Sequence, residues 1–359
     1  MLRIGLLTSG GDCQALNATM RAIVKTVLRN AGEGVGIVGF LDGYQGLIYD
    51  RYLTLTPGDF SGILTRGGTI LGTSRTPFKR LDIPEEDGID KVSAMRATYG
   101  AHKLDCLFML GGNGSTKTAN RLSEEGLNVI ALPKTIDNDT WGTDMTFGFP
   151  SAIDVATRCI DDIHTTASSH GRVFVIEIMG HKVGWIPLHA GVAGGADVIL
   201  IPEIPYDMGN VVRAIERRDQ DGGRFAIVVV AEGAISREEA AMKKKAYKAK
   251  VAQRVKPSVA YDIAEEIAQR TGREIRVTVP GHTQRGGAPD AADRIFATQC
   301  GVEAALGMLE GSYGFMVAQV GGRMRRVPLS EVAGRLKYVD PQCDLVREAK
   351  MLGISFGDE

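Results

Sequence analysis

Short, continuous apolar runs recur along the 359-residue chain, and segments with helical periodicity lie between them. Strands buried on both faces by helices have such uninterrupted Val, Ile and Leu sequences, whereas half-exposed strands alternate between apolar and polar residues. The pattern therefore predicts an α/β fold with mainly parallel sheets, arranged as two doubly wound domains. The predicted strands are residues 3–8, 35–40, 104–110, 128–133, 172–179, 197–202, 224–231 and 274–279.

Three other segments predict individual elements. Apolar residues recur at helical spacing through residues 16–28, and Gly32 follows as a stop signal. Residues 238–256 are charged and rich in alanine, which favours a solvated helix. Residues 316–329 predict a β-hairpin with a pair of glycines at its turn.

Composition narrows the class of protein. A formal net charge of −1 argues against general binding to nucleic acid or to membrane surfaces. No Cys-x-x-Cys pair occurs among the five cysteines, so neither a zinc site nor a disulfide framework is expected. No signal peptide is apparent, and no apolar stretch approaches the roughly 20 residues that span a bilayer. These features predict a cytoplasmic globular protein.

Glycine-rich segments follow two of the predicted strands, at Ser9-Gly-Gly-Asp12 and at Gly111-Gly-Asn-Gly-Ser115. Glycines at a strand end let backbone N–H groups approach phosphate oxygens closely. A third glycine-rich segment, Gly67 to Thr73, leads into Arg75, whose guanidinium suits phosphate oxygens. Each segment alone is compatible with an ordinary turn, but together they indicate phosphoryl chemistry.

The segment Lys134-Thr-Ile-Asp-Asn-Asp139 follows another predicted strand, and ligands in α/β sheets lie at such carboxyl ends. We predict that Asp137 acts as a general base toward a sugar hydroxyl. If the segment is extended, Asp139 shares a face with Asp137 and could meet a hydrated Mg²⁺. Thr135 would project on the same face, toward the migrating phosphoryl group. The simpler interpretation of these residues is an Asx-turn after a strand.

A further set of residues is suited to a second phosphate, one that stays on the substrate. Gly281-His-Thr-Gln-Arg-Gly-Gly287 follows the last predicted strand, and Arg276, His282 and Arg285 could converge there. Met179-Gly-His181 also ends a predicted strand, and Glu232 could hold sugar hydroxyls. Solvated or ion-paired arginines and a structural histidine are the alternatives.

Taken together, these motifs resemble the 6-phosphofructokinases, in particular the bacterial group with both ATP- and pyrophosphate-dependent members. The resemblance covers essentially the whole chain, with the motifs in the family's order. It implies a donor-binding domain of residues 1–148 plus 284–334 and a sugar-phosphate-binding domain of 149–283 plus 335–359, with the active site in the cleft between them. The implied reaction is ATP- and Mg²⁺-dependent phosphorylation of fructose 6-phosphate at its 1-hydroxyl.

The resemblance also implies roles for individual residues. Arg172 would reach the active site of a neighbouring subunit, which implies a homodimer or homotetramer. The catalytic residues would be Asp137, Thr135, Arg75, Arg172 and Lys134. The donor site would comprise Gly11, Arg75, Thr76, Gly112, Asn113, Gly114 and Ser115, with Asp139 and Asn113 near the metal. The sugar-phosphate site would comprise Thr135, Ile136, Asp137, Arg172, Met179, Gly180, His181, Glu232, Arg276, His282, Thr283, Gln284 and Arg285.

Two positions bear on the choice of donor. Pyrophosphate-dependent members of the family usually have aspartate where this chain has Gly114, and a carboxylate there would crowd and repel the α-phosphate of a nucleotide. Lys134 is typical of the pyrophosphate enzymes, but it also accompanies ATP use when glycine holds the other position. The pair therefore favours ATP, with a reversible pyrophosphate-dependent enzyme as the alternative.

Two departures from the family pattern keep a different class of function open. Asn113 replaces a usual acidic residue near Mg²⁺, and His181 stands where many members have arginine. A catalytically silent paralogue that binds sugar phosphate and regulates a partner is therefore an alternative. A relative of the NAD or lipid kinases would share the glycine/aspartate loop, but it would give no reason for the Gly281–Gly287 arginine segment.

Overall fold

The protein is described from a computed structural model that covers residues 1–31, 34–84 and 88–359. The chain forms two compact units. Unit 1 comprises Met1–Ser151 and Arg285–Lys337, and unit 2 comprises Ala152–Gln284 and Tyr338–Glu359. In the part of the chain described, no helix is both long and apolar enough to span a membrane.

Unit 1 is built on a seven-stranded sheet with the strand order β11-β10-β5-β4-β1-β2-β3. The five central strands run parallel, while β3 and β11 pair antiparallel at the two edges. The strands are β1 (Arg3–Ser9), β2 (Gly36–Phe40), β3 (Tyr52–Leu55), β4 (Cys106–Gly111), β5 (Val129–Pro133), β10 (Phe315–Val320) and β11 (Arg323–Pro328).

Helices cover this sheet and bury its apolar side chains. Helices α1 and α11 pack so closely that a Cβ on Gly301 would lie 2.6 Å from the Cβ of Ala22. The helices are α1 (Leu16–Asn30), α2 (Tyr44–Ile48), α3 (Lys91–Ala101), α4 (Asn113–Glu124), the start of α5 (Phe149–His170), α11 (Ala291–Leu309) and α12 (Leu329–Val332). Two 3₁₀ turns lie at Pro57–Phe60 and Phe78–Arg80.

Unit 2 contains a four-stranded, wholly parallel sheet with the order β7-β8-β6-β9. Its strands are β6 (Val173–Ile178), β7 (Val198–Leu200), β8 (Ala226–Ala231) and β9 (Ile275–Thr278). The rest of α5 and the helices α6 (Trp185–Ala193), α7 (Met208–Gln220), α8 (Arg237–Ala240), α9 (Lys244–Ala252), α10 (Val259–Thr271) and α13 (Asp344–Met351) complete the unit. A 3₁₀ turn spans Gly281–Arg285 at the unit boundary.

The predicted α/β class with mainly parallel sheets is confirmed, and each of the eight apolar runs contains a strand. The predicted hairpin also forms, with positive φ at both turn glycines, Gly321 and Gly322. The single helix predicted for residues 238–256 is wrong: the segment divides into α8 and α9. The stop signal predicted at Gly32 lies outside the described residues. The short edge strand β3 was not predicted.

One buried carboxylate ties the start of α5 to α11. Asp293 on α11 is fully buried and accepts hydrogen bonds from the Gly148 amide at 2.8 Å and from Ser151 Oγ at 2.6 Å. Gly148 has φ +99°, and a Cβ there would lie 2.5 Å from the Cβ of Cys13, so only glycine fits. Burial raises the pKa of Asp293 to about 6 despite these two hydrogen bonds.

This shift predicts a pH dependence of stability. Because the folded protein binds the Asp293 proton more tightly than the unfolded chain, the contribution of Asp293 to stability is greatest below about pH 4 and is lost as pH rises through about 6. The unfolding temperature of wild type minus that of Asp293→Asn should therefore fall between these pH values, as measured by scanning fluorimetry. Asp161→Asn, on the exposed face of α5, controls for the loss of one carboxylate. Parallel pH profiles for wild type and Asp293→Asn would contradict the prediction.

Candidate active site

Three loops of unit 1 meet at the carboxyl edge of its sheet. The register pairs Ser9 with Gly111 and Gly111 with Pro133, so β1, β4 and β5 end in one row. Adjacent strands lie about 4.8 Å apart, which brings the three following segments within side-chain reach of one another. These segments are the glycine loop at residues 10–12, the amino end of α4, and residues 134–139, called here the acidic loop.

The glycine loop is held by two cations. Lys134 Nζ donates a hydrogen bond to the Gly11 carbonyl, and Arg285 Nη1 donates to the Asp12 carbonyl at 3.0 Å. A Cβ on Gly11 would lie 2.8 Å from Arg285 Nη1, so the absence of a side chain admits the guanidinium. Arg285, assigned from the sequence to the sugar-phosphate group, therefore contacts the loop of the predicted donor site in unit 1.

The segment that leads to Arg75 is tethered to the glycine loop. The Gly10 amide donates to the Ser74 carbonyl at 2.9 Å, and Thr73 Oγ1 donates to the Gly10 carbonyl at 2.7 Å. The side chain of Arg75 is exposed and forms no ion pair with any residue in the described ranges. The hydroxyl of Thr76 is buried without a hydrogen-bond partner in the same ranges. The exposed Arg75 guanidinium is thus open to a ligand beside the glycine loop, whereas the Thr76 hydroxyl is not accessible from solvent.

The amino end of α4 is the second element of the predicted donor site. Gly112 caps the helix, and a Cβ there would lie 3.3 Å from the Lys134 carbonyl. Ser115 is fixed by its hydrogen bond to Ser9 Oγ at 2.9 Å. Gly114 is exposed, and a Cβ there would meet no atom within 4 Å. Helix amino termini with unobstructed N–H groups bind phosphate oxygens.

The acidic loop is bent, not extended, which corrects the geometry considered from the sequence. Asn138 has φ +53°, in the left-handed region, and the Asp137 amide donates back to Thr135 Oγ1 at 3.1 Å. The bend arises because Asn tolerates the left-handed region better than most residues. Ile136 is fully buried, so the structure exposes no part of it to a substrate.

The bend still places the two carboxylates in each other's field. Burial, followed by the charge of Asp137, raises the pKa of Asp139 to about 6. Lys134 is almost fully buried, and burial lowers its pKa to about 8, while the charges of Asp137 and Asp12 act in the opposite direction. The loop therefore combines closely spaced negative charges with a desolvated ammonium group at one sheet edge.

Lys337, at the end of unit 1, contacts the acidic loop and was not predicted from the sequence. Lys337 Nζ donates to Asn138 Oδ1 at 2.9 Å and to the carbonyls of Thr143 and Asp144, each at 2.8 Å. The Lys337 amide donates to the Asp139 carbonyl at 2.9 Å. No local motif marks this lysine, because nearly 200 residues of chain separate it from the loop it contacts.

A second group of predicted site residues assembles in unit 2, at the carboxyl ends of β6 and β8. The Met179 amide donates to Gln284 Oε1 at 3.2 Å. Glu232 Oε1 accepts hydrogen bonds from the amides of Gly180, at 3.4 Å, and His181. His181 adopts φ +52° with an exposed side chain, and the side chains of His282 and Thr283 are exposed as well. The structure thus builds a turn with several polar side chains open to solvent.

Arg172 and Arg276 do not join this group. Both form ion pairs with Glu274, with 2.8 Å between Arg172 Nε and Glu274 Oε2, and they hold the pKa of that carboxyl below its usual range. Arg172 precedes β6, whereas Met179 follows it. Seven residues of extended chain span about 23 Å, so Arg172 and Met179 lie at opposite ends of the strand.

The residues predicted to hold a metal are few in number. Throughout ranges 1–31, 34–84 and 88–359, no three His, Cys, Asp or Glu side chains group closely enough to hold a metal ion. Asn113 donates a hydrogen bond from its amide nitrogen to the Arg335 carbonyl. Its amide oxygen is therefore the atom that remains for a cation.

Several relatives align with nearly the whole chain. A relative from Spirochaeta thermophila, named ATP-dependent 6-phosphofructokinase, is 52% identical over 99% of this chain and 97% of its own. One from Bacteroides thetaiotaomicron, named ATP-dependent 6-phosphofructokinase 3, is 44% identical over 99% of this chain and 100% of its own. One from Amycolatopsis methanolica, named pyrophosphate–fructose 6-phosphate 1-phosphotransferase, is 44% identical over 95% of this chain and 97% of its own.

Solved structures show the same fold. The Pichia pastoris phosphofructokinase in the T-state superposes with a TM-score of 0.79 at 31% identity, over 92% of this chain. The chain spans about a third (35%) of the length of that protein. A pyrophosphate-dependent phosphofructokinase from Nitrosospira multiformis, at 21% identity, gives a TM-score of 0.82 over 98% of this chain and 92% of its own. The family model described as phosphofructokinase matches residues 3–308, and the chain belongs to the phosphofructokinase family.

Proposed function

We propose that this chain is an ATP-dependent 6-phosphofructokinase, which phosphorylates fructose 6-phosphate at its 1-hydroxyl. The observation that carries the proposal is the edge of unit 1, where the acidic loop lies beside two glycine-rich elements that are suited to phosphate. The names of the relatives at 52% and 44% identity support ATP as the donor. The donor would bind unit 1, and the phosphate of the sugar would bind unit 2. A cytoplasmic location stays a prediction.

The acidic loop would supply the base. Asp137 accepts the proton of the attacking hydroxyl, since a carboxylate needs only hydrogen-bond reach to assist such a transfer. The amino end of α4 and Arg75 compensate the negative charge that spreads over the transferred group. Lys134, which is desolvated, adds a fixed positive charge next to the glycine loop. The protein therefore acts mainly by positioning and by electrostatics.

The residues present fit a divalent cation. Asp137 and Asp139 repel each other in a partly desolvated setting, and a cation would relieve that repulsion. We propose that Asp139, with the amide oxygen of Asn113, holds Mg²⁺ through few protein ligands, as is usual when a nucleotide supplies the others. When bound, Mg²⁺ would neutralise charge on the donor phosphates.

Replacing the proposed base tests this function. Asp137→Asn should lower kcat on the order of 10²- to 10⁴-fold, while KM for fructose 6-phosphate changes little, because the amide keeps the shape but cannot accept the proton. A coupled assay of fructose 1,6-bisphosphate formation with ATP or with pyrophosphate measures both constants. Asp161→Asn on α5 is the surface control. Near-wild-type turnover by Asp137→Asn would remove Asp137 as the base, and silence of the wild type with both donors would favour a regulatory paralogue.

Gly114 and Lys134 are the two positions that the sequence singles out for the choice between donors. The space around Gly114 is open, which leaves room for a nucleotide beyond the β-phosphate. Lys134 is engaged with the Gly11 carbonyl and is shielded from solvent, so it supports the loop whichever donor binds. The pyrophosphate-dependent name of the Amycolatopsis methanolica relative keeps pyrophosphate as the second candidate donor.

A carboxylate at position 114 tests the donor assignment. Gly114→Asp should lower kcat/KM for ATP by at least about tenfold through repulsion of the nucleotide phosphates, with less effect on pyrophosphate. Gly114→Asn, of the same size but uncharged, separates repulsion from crowding. Because no atom lies within 4 Å of a Cβ at this position, both variants should keep the wild-type unfolding temperature. Unchanged ATP kinetics in Gly114→Asp would show that the open space is not used by the donor.

The position of Arg172 supports an oligomer. Since Arg172 lies at the amino end of β6 and Met179 at its carboxyl end, the two cannot serve one sugar phosphate within a chain. We therefore propose a homodimer or homotetramer in which Arg172 and Arg276 complete the active site of a neighbouring subunit, with Glu274 holding both arginines in place.

Mixed oligomers test this arrangement. Asp137→Asn and Arg172→Leu should each be nearly inactive alone, yet a hybrid dimer contains one site with both native residues. Random mixing of the two chains should restore about a quarter of wild-type activity. Refolded mixtures can be assayed directly, with native mass spectrometry to count hybrids. Hybrids that form but stay as inactive as the parents would place Arg172 in the site of its own chain or outside any site.

A further inference from the structure

Lys337 lies in unit 1, outside the predicted site, and its ammonium group is held by several acceptors. Its Nζ donates to one side-chain oxygen and two carbonyl oxygens, which belong to Asn138, Thr143 and Asp144 at 2.8–2.9 Å. An ammonium group has three donors, and these three acceptors converge on it. All three belong to residues 138–144, the end of the acidic loop and the turn that follows it.

The side-chain contacts are reinforced by the backbone. The Lys337 amide donates to the Asp139 carbonyl at 2.9 Å, and the neighbouring Leu336 forms an isolated bridge with Thr140. Leu336 and Lys337 therefore contact Asp139 and its two neighbours, Asn138 and Thr140. We call this set of contacts the clamp. Two residues of the acidic loop, Asn138 and Asp139, are thus fixed relative to a segment far away in the chain.

The clamp acts on the one strained residue of the loop. Asn138 has φ +53°, which costs free energy for a residue with a Cβ. Its Oδ1 accepts from Lys337 Nζ, and its Nδ2 donates to the Asp144 carbonyl at 3.3 Å. Because Asn138 stands between Asp137 and Asp139, its backbone conformation decides where both carboxylates point.

We infer that Lys337 is a positioning residue of the phosphoryl-transfer reaction, which holds Asn138 in the left-handed conformation that presents Asp137 and Asp139. This inference rests on the proposed function, since it assigns Lys337 an effect through the proposed base. Lys337 is partly exposed and is not proposed to touch the substrate.

The surroundings of Lys337 favour positioning over a purely structural role. Its electrostatic partners are Asp139 and Asp144, both in the segment it clamps. Lys350 of unit 2 offers a matched comparison, because its Nζ also bonds acidic side chains, Asp358 at 2.6 Å and Glu359 at 3.2 Å, but these belong to the chain terminus. Loss of either lysine removes several hydrogen bonds, but only Lys337 bonds a residue of the acidic loop.

The test compares Lys337→Met with Lys350→Met in the full-length protein. Small misplacement of a reacting group lowers rates on the order of 10- to 100-fold, so kcat of Lys337→Met should fall by this amount, with KM values for ATP and fructose 6-phosphate within about threefold of wild type. Lys350→Met should keep the wild-type kcat. If folded Lys337→Met also keeps it, the inference is overturned.

Chemical rescue separates positioning from general loss of structure. Ethylammonium or propylammonium should restore part of kcat in Lys337→Ala by donating hydrogen bonds to the same oxygens, whereas tetramethylammonium, which has no N–H, should not. If neither ethylammonium nor propylammonium restores kcat, and thermal stability falls as well, Lys337 is a structural residue and the inference is overturned.

If Lys337→Met does not fold, Asn138→Gly supplies the second variant. Glycine keeps the left-handed backbone but lacks Oδ1, and its kcat should fall less than that of Asn138→Ala; equal values would overturn the inference.

Hydrogen–deuterium exchange gives a readout that does not depend on activity. Amides of residues 136–144 should exchange faster in Lys337→Met than in Lys350→Met, and equal exchange would contradict the clamp. If the wild type shows no turnover with ATP or pyrophosphate, the proposed function fails, while this exchange experiment still decides whether Lys337 holds the acidic loop.

Discussion

The candidate site depends on the register of three parallel strands. Pairing of Ser9 with Gly111 and of Gly111 with Pro133 ends β1, β4 and β5 in one row, and the chain must then leave the sheet three times at the same edge. Cross-links between the loops follow from that proximity: Ser115 bonds Ser9, and Lys134 bonds the Gly11 carbonyl. A shift of one residue in either pairing would turn the side chains of a strand to the other face and separate these groups.

Two partly or fully desolvated lysines stabilise the loops that the strand register brings together. Burial lowers the pKa of both Lys134 and Lys337 to about 8, which leaves each mostly protonated at neutral pH. A desolvated ammonium needs hydrogen-bond acceptors, and backbone carbonyls of the glycine loop and of residues 143–144 supply them. The same contacts fix loops that carry carboxylates, so charge compensation and loop geometry are two results of one set of hydrogen bonds.

Sequence patterns predicted most of the architecture because buried parallel strands have continuous apolar runs, and all eight runs contain strands. The local sequence also predicted glycine-rich loops after β1 and β4 and an acidic loop after β5. The patterns failed where contacts are distant in sequence or the conformation is strained. Nothing near Lys337 signals its contact with Asn138, and the contact of Arg285 with the Asp12 carbonyl, which bridges 273 positions, was not predicted either. The left-handed Asn138 was missed because extended and bent conformations are both compatible with the local sequence.

Parallel sheets also limit what one chain can assemble. Since all strands of a parallel sheet end at one edge, loops that follow the strands can converge, but residues that precede the strands lie at the opposite edge. Met179 and Glu232 follow β6 and β8, whereas Arg172 precedes β6 and Arg276 lies near the start of β9. The two arginines that Glu274 holds at the amino edge are therefore poorly placed for a ligand bound at the carboxyl edge of the same sheet. A second copy of the chain has no such restriction, and symmetric pairing would let each copy lend its amino-edge arginines to the other.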